Sequence, residues 1–301
     1  MLDPRRLRVL LALADHGTVT AAARALHFSP SAISQHLAAL EAEVGQALLE
    51  RRGRRVTLTP TGRMLLGVSH SILAEIERAE ALLAEHRAGL AGELVVAGFA
   101  TAITHVIAPA LARLREEHPA VRLRVVDAEG HRSLAMLLDG EVDLAIAVEL
   151  GGASSDDRRV VRVPLFAEPF EAVLPEGHEL AKGDWVALDG LAEEDWIAPE
   201  EGNPVTDVIG FACEQAGFRP RYRHAVDDFR TTAALVAAGA GVALVPSLAV
   251  RDLGMTGVAV RPLVPPVPVR RVFAAYRRGR EQHGLTALVL ATLGAVAGPI
   301  H

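Results

Sequence analysis

Apolar residues recur with helical spacing over the first ninety positions of the chain. Beyond residue 93 they gather into short runs that alternate with helical stretches. In GTVTAAARALHFSPSAISQHLAALE, residues 17–41, the spacing predicts a short helix over Val19–Leu26, with Ala22, Ala23 and Leu26 placed for close helix contact. His27-Phe28-Ser29-Pro30 breaks it. Ser29 can cap a second helix, and Pro30 suits that helix's first position, where no N–H is needed. Ile33, Leu37, Leu40 and Val44 then follow the i, i+4, i+7, i+11 spacing of a buried stripe, which turns Ser31, Ser34, Gln35 and Ala38 to the opposite face. Thr59-Pro60 repeats the capping signal and starts a helix running to about Arg87. In it Leu65, Val68, Ile72, Ile76, Ala79 and Leu83 recur every three or four residues, and Gly89 and Gly92 end the pattern. A lone helix of that length has nothing of its own to cover the stripe, so pairing with a second copy is the natural solution; packing on its own domain is the alternative.

From Glu93 the order is LVVAGF, a helix over Ile103–Glu117, VRLRVVD, a helix over Arg132–Gly140, then DLAIAV. This βαβαβ order predicts a parallel sheet covered by helices. A second unit spans about Pro164 to Pro265, with FEAVLP, WIAPE, a helix over Val205–Gly217, YRHAV, a helix over Phe229–Ala238, and VALVP. PVRRVFAAYRR and a helix over Glu281–Val296 then return to complete the first unit, so crossovers near Val163 and Pro266 would act as hinges. The uncharged run Thr231–Val250 is long enough to raise a membrane question, but Gly239, Gly241 and Pro246 interrupt it. A membrane span is therefore not expected.

Charge changes the picture. The formal net charge is −6, yet residues 1–62 carry eight arginines against five carboxylates, a net of +3 that leaves −9 for the rest. A basic head on an acidic body fits a DNA reader joined to something else, and predicts salt-sensitive binding. Much of the excess lies in LLERRGRRVTLTPTG, where Arg51, Arg52, Arg54 and Arg55 surround Gly53 ahead of the β-prone Val56-Thr57-Leu58. A basic hairpin behind a polar, short-chained helix face is the winged form of helix-turn-helix, able to reach phosphates or a minor groove. Two amphipathic helices with a Ser-Pro break also occur in all-α domains with no DNA role, so position counts here for more than charge. The single cysteine, Cys213, rules out an intrachain disulfide, and its apolar helical surroundings predict core packing in a reducing compartment. His105, His118, His131 and His178 are scattered without metal-ligand spacing, and no Gly-x-Ser-x-Gly or Walker-type loop occurs. No catalytic residue, metal or cofactor is expected. The opening MLDPRRLRVL reads as a charged helix rather than a signal peptide.

With these residues in view, the chain resembles the LysR-type family of bacterial transcriptional regulators. The family's amino-terminal pattern matches Gly17, Ala22-Ala23, Leu26, Ala32-Ile33-Ser34 and Leu40-Glu41, and its wing ending matches Leu48-Leu49-Glu50-Arg51 and Leu58-Thr59-Pro60-Thr61-Gly62. Two departures, Pro30-Ser31 in place of the frequent Gln-Pro and Gln35 in place of a frequent Arg, fall on the groove face and bear on base preference rather than membership. The resemblance implies an α-helical winged helix-turn-helix head over residues 1–59 and a linker helix over 60–89 that pairs antiparallel in dimers or tetramers. It implies next an α/β two-lobed, periplasmic-binding-protein-like effector domain over 93–301. Lobe 1 would hold about 93–163 plus 267–301, and lobe 2 about 164–266. The implied partners are double-stranded promoter or operator DNA, a small-molecule effector and RNA polymerase, in the cytoplasm. The alternative is a small-molecule solute-binding receptor without a DNA role.

Candidate DNA contacts are Ser29, Pro30, Ser31, Ser34, Gln35, His36, Arg52, Arg54 and Arg55. Ligands of open parallel sheets sit beyond the strands' carboxyl ends, near helix N-termini that favour anions. That rule selects Thr101, Ala102 and His131 in the first unit, and Asn203, Asp228 and Phe229 in the second. Thr101 and His131 also match family positions that often touch effector. Asp227 and Asp228 would hold an amine or cap the helix behind them, and His131 could equally be a cap. An organic or amino acid is the expected effector class. Family members that sense oxidants rely on cysteine pairs, which are not available here.

Overall fold

The computed structural model describes residues 2–52, 55–88, 91–149, 157–251, 256–281 and 283–298. The head is three helices and a hairpin: α1 (Pro4–His16), α2 (Val19–Ala25), α3 (Pro30–Val44), β1 (Leu49–Arg52) and β2 (Arg55–Leu58). Each helix starts on a capping side chain, with Asp3, Thr18 and Ser29 accepting from the amides of Arg5, Ala21 and Ala32. Leu7, Leu10, Ala22, Ile33, Leu37, Leu40 and Leu48 close one core beneath all three. The hairpin pairs antiparallel, Leu49 opposite Leu58. Two features explain the sequence pattern around it. Oε1 of Glu41 accepts from the amides of Leu48 and Leu49 at 2.7 and 3.0 Å, which pins the wing to α3. Gly62 lies so close to the Leu48 carbonyl that a β-carbon would collide with its oxygen.

Thr59 caps the linker helix α4 (Pro60–Ala88), its hydroxyl accepting from the Gly62 amide at 3.0 Å. The apolar stripe divides between two surroundings. Leu65, Leu66 and Ile72 pack on the head's own core, whereas Met64, Val68 and Leu83 are 67, 52 and 61% exposed. Helix packing on the chain itself thus accounts for part of the stripe and leaves the rest open.

The body begins with β3 (Gly92–Gly98), which pairs in parallel with β4 (Val121–Asp127) and β5 (Leu144–Val148). Between the strands run α5 (Ala100–Ala102), continued through a π-turn into α6 (Ala108–Glu117), and α7 (Gly130–Asp139). The chain then crosses over on β6 (Val160–Pro175), which at about 3.3 Å per residue spans ~50 Å. Past it come β7 (Asp195–Ala198), α8 (Pro204–Gln215), β8 (Arg221–Ala225), α9 (Phe229–Ala237), β9 (Ala243–Pro246), α10 (Ser247–Arg251) and β10 (Val258–Pro262). The return is β11 (Val269–Arg277), followed by α11 (Gly284–Ala297).

The main sheet is mixed rather than purely parallel, because the two crossover strands pair with each other antiparallel along β11 and join seven strands into the order β10-β6-β11-β5-β3-β4, with β9 on β6, while β7 and β8 pair in parallel as a separate sheet. Lobe 1 buries Leu94, Val96, Ile107 and Leu144 on one sheet face and Ala97, Leu137 and Phe273 on the other. Lobe 2 does the same with Phe170, Leu174 and Trp196 against Val173, Ile197 and Val236. The uncharged run Thr231–Val250 is broken into α9 and β9, and among the described residues no helix is long and apolar enough to cross a membrane.

Candidate DNA interface and ligand cleft

The predicted groove face of α3 forms as the spacing requires. Ile33, Leu37 and Leu40 are buried, while Ser29, Pro30, Ser31, Ser34, Gln35 and Ala38 are exposed. The serine hydroxyls are engaged locally. Those of Ser29 and Ser31 lie 2.9 Å apart, and that of Ser34 donates to the Pro30 carbonyl at 3.0 Å. Among the described residues Gln35 makes no side-chain bond within the chain, so both ends of its amide are open to a base edge. His36 is half-buried and leans on Phe28, the ring centroids 5.6 Å apart. Phe28 is itself 47% exposed beside the helix start, a neighbour that the sequence patterns did not single out. Arg54 lies outside the described residues, as do the side chains of Arg52 and Arg55; the strands β1 and β2 that carry the latter two are in place.

Between the lobes a cavity of about 140 Å³ brings together Thr101, Asn203, Asp228 and Phe229, with Phe99, Asp227 and Arg270 beside them. Ala102 is a correction: it is fully buried in the lobe 1 core and does not line the cavity, because its position on the first turn points its methyl inward. The side chain of His131 lies outside the described residues. Asn203 and Asp228 act as helix caps. Oδ1 of Asn203 accepts from the Val205 amide at 3.0 Å, and Oδ1 of Asp228 accepts from the amide and hydroxyl of Thr231 at 2.7 and 2.8 Å. Those two bonds hold the Asp228 carboxyl below its ordinary range. Asp227 takes bonds on one oxygen, from the Glu200 amide and the Asn203 side chain, both at 3.0 Å.

The residue at the centre of the cleft was missed. Arg270 is 1% exposed; its Nε donates to Oε1 of Glu168 at 2.7 Å and its Nη2 to the Thr101 hydroxyl at 2.7 Å. The guanidinium carbon stands 4.9 Å from the Phe99 ring centroid. Burial pulls Arg270 below its ordinary value, and the Glu168 carboxylate opposes that. Oε2 of Glu168 in turn accepts from the Leu248 amide at 2.8 Å. One chain of bonds thus runs from lobe 1 through both crossover strands into lobe 2. A signal for it existed: Arg270 shares strand parity with Val272, Ala274 and Tyr276, and Glu168 with Phe166, Phe170 and Ala172, all of them buried.

Comparison with known proteins decides the kinship of these two sites. Residues 4–63 match the family described as bacterial regulatory helix-turn-helix protein, lysR family, and residues 87–298 match the LysR substrate binding domain. The chain belongs to the LysR family. It is a transcriptional regulator with a DNA-binding head and an effector-binding domain. Among LysR-family relatives, the hydrogen peroxide-inducible genes activator of Pectobacterium carotovorum subsp. carotovorum is 30% identical over 285 residues, covering 94% of this chain and 93% of that one. The DNA-binding transcriptional dual regulator OxyR of Escherichia coli K12 is 29% identical over 280 residues, 92% and 90% of the two chains. Among solved structures, a cysteine mutant of Corynebacterium glutamicum OxyR has a TM-score of 0.63 at 26% identity, covering 98% of this chain and 91% of that chain. The LysR-family regulator CbnR, solved with its target DNA, has a TM-score of 0.57 at 24% identity over 99% and 100% of the two chains, and shares the fold.

Proposed function

We infer that this regulator reads operator DNA with the α3 face and the basic wing, and that it answers to a small organic acid bearing an amine, an amino acid being the simplest case. The observation that carries the effector class is the pairing of opposite walls in one small cleft. Thr101 and Arg270 stand on one wall with Glu129, and the carboxylates of Asp227 and Asp228 on the other with Arg230. A carboxylate taking bonds from Thr101 and Arg270, with an ammonium held by Asp227 and Asp228, would use the polar groups of both walls. The volume equals about five waters at ~30 Å³ each, which suits a compact metabolite.

The relatives named for hydrogen peroxide suggest an oxidant as the signal, and the chemistry of this chain argues against that route. With one cysteine no intrachain disulfide can form. Cys213 is fully buried, and burial pushes its thiol up to about 12, far from the reactive thiolate of a sensor. Peroxide treatment should leave DNA binding unchanged, and Cys213→Ala should regulate as the native chain does.

In this reading residues 1–59 form the reader, 60–89 the linker, and 93–301 the effector domain, lobe 1 taking 93–163 and 267–301 and lobe 2 taking 164–266. Self-association as a dimer or tetramer is favoured by the exposed Met64, Val68 and Leu83 on the linker. The setting is the bacterial cytoplasm, with RNA polymerase as partner and no catalytic turnover. A melting-temperature screen tests the effector class. Amino acids should raise the midpoint, and Asp227→Asn should weaken the response to amine-bearing acids more than to their amine-free analogues. A screen in which only sugars or aromatic hydrocarbons stabilise the chain would refute the assignment.

A further inference from the structure

The two crossover strands do more than join the lobes. Arg270 and Glu168 are register partners on β11 and β6 at the cleft; seven residues on, about 23 Å at ~3.3 Å per residue, Arg277 and Val160 are register partners at the strands' other end. That end meets the linker helix and the head. Nη1 of Arg277 donates to the carbonyls of Leu137 and Val142, both at 2.8 Å, while its Nε reaches Oε1 of Glu77 on α4 at 3.2 Å. Arg280 donates from Nε to Oε2 of the same Glu77 at 2.7 Å and from Nη1 to Asp143 at 3.1 Å. Between them Gly279 touches the linker backbone, where a β-carbon would collide with the Ala74 carbonyl oxygen. On the neighbouring strand, Arg159 sits one residue before β6. Its Nη1 meets Oδ2 of Asp15, in the last turn of α1, at 2.5 Å, and its other nitrogens hold Asp157.

These pairs are not surface decoration. The side chains of Glu77 and Arg277 are 13 and 14% exposed, and Arg159 is 21% exposed. They enclose a cavity of about 380 Å³ between head, linker and lobe 1. Charge pairs that are half-desolvated and fork-shaped hold direction as well as distance, unlike loose surface pairs.

We propose that Arg159 with Asp15, and Arg277 and Arg280 with Glu77, are positioning residues that set the orientation of the DNA-reading head on lobe 1. The β6–β11 ladder carries a displacement of Arg270 to them. The ladder is a suitable carrier because two hydrogen-bonded strands resist shear, and because each strand carries one charged anchor at the cleft and another at the junction. A cleft ligand that draws Arg270 or Thr101 changes the seat of the paired strands as a unit, and the junction arginines move with them. Only a ligand that binds one seat better than the other shifts the head. The trigger rests on the proposed cleft ligand, whereas the clamp does not.

Distance measurement between spin labels tests both parts in the full-length chain. Labels go on the thiols introduced by Arg24→Cys and Glu116→Cys in a Cys213→Ala background, diluted with unlabelled chain so that intrachain distances dominate. Both native side chains are exposed, on α2 and α6. The parent should give one narrow distribution. Arg159→Ala should broaden it or shift it by at least ~2 Å, the scale of interface helix shifts, and Arg159→Lys should restore most of it. Thr101→Val, which removes a bond only at the cleft end, should also shift it, with the melting temperature recording that the fold is kept. An unchanged distribution in Arg159→Ala overturns the clamp. An unchanged distribution in folded Thr101→Val overturns the relay. The melting-temperature response to amino acids, read separately on the parent, says whether the cleft assignment stands.

Discussion

The proposed DNA face and the proposed ligand cleft are built in opposite ways. The face is contiguous: eight positions on one helix start supply Ser29 through His36, all but Ala32, Ile33 and the half-buried His36 exposed, and their register follows from a buried stripe of three residues. The cleft is assembled from Thr101, Asp227 and Arg270 with Glu168 behind them, and these groups are already bonded within the chain before any ligand arrives. Exposed side chains that share no partner act nearly independently, so losses on the face outside the bonded Ser29–Ser31 pair should add. Buried, bonded charges act as a unit, so losses in the cleft should not. A set of substitutions can break or sharpen that contrast.

The largest effect belongs to the cleft. Arg270→Ala leaves the Glu168 carboxylate buried without its partner and should cost about 3–5 kcal/mol in a denaturant melt, as is usual when one half of a buried pair is removed. The double variant Arg270→Met with Glu168→Leu should be far closer to the native chain, because both charges leave together. If the double variant loses as much as the two single losses summed, the charges are independent and the contrast with the face fails.

The face predicts smaller and additive changes. Gln35→Ala should alter base preference at one position of each half-site, a discrimination of about 1–3 kcal/mol, with little change in non-specific affinity. Arg54→Ala or Arg55→Ala should instead weaken binding to all sequences and lower the salt slope by about one. Competition footprinting against base-substituted operators, repeated at several salt concentrations, separates the two. Equal losses from Gln35→Ala on every sequence would place that side chain on phosphate rather than on a base.

The same contrast explains what could be read from the sequence. The head was legible because its logic is local. Ser29-Pro30 starts a helix, Ile33, Leu37 and Leu40 aim it, and the wing follows within about twenty residues, so each cue predicts its neighbour. Even there the reason for Glu41 and Gly62 waited on the fold, since Glu41 bonds amides seven and eight residues away and Gly62 makes room for a carbonyl fourteen residues back. The α/β alternation placed Thr101, Asn203, Asp228 and Phe229 at strand ends, and they do meet in one cavity. Ala102 failed because a helix start exposes one side only. Arg270 and Glu168 went unseen because their partners lie 169, 102 and 80 residues away, and only strand parity marked a charge in an otherwise apolar row. The junction residues carried no local cue at all: Asp15 and Arg159 are 144 positions apart, and Glu77 and Arg277 are 200.

The junction between face and cleft should respond to pH in two separate windows, both small at neutrality. Burial and the neighbouring Arg159 hold His70 below the ordinary histidine value of 6.5, outweighing Asp157 and Asp15. Burial alone would raise Glu77, but the guanidiniums of Arg277 and Arg280 outweigh it and hold the carboxyl below the ordinary glutamate value of 4.5. Both groups therefore bind protons more weakly folded than unfolded, so each contributes stability above its unfolded pKa and loses it as pH falls through the folded one. His70 should begin to lose its contribution below about pH 6.5, and Glu77 only below about pH 4.5. Between about pH 7 and 8 neither should change. Stability measured by denaturant melts across this range should then show His70→Gln flattening the upper part of the acid slope and Glu77→Gln flattening the lower. If Glu77→Gln instead flattened the slope between about pH 5 and 7, the carboxyl would be titrating above its ordinary range, and the two arginines would not be holding the linker through it.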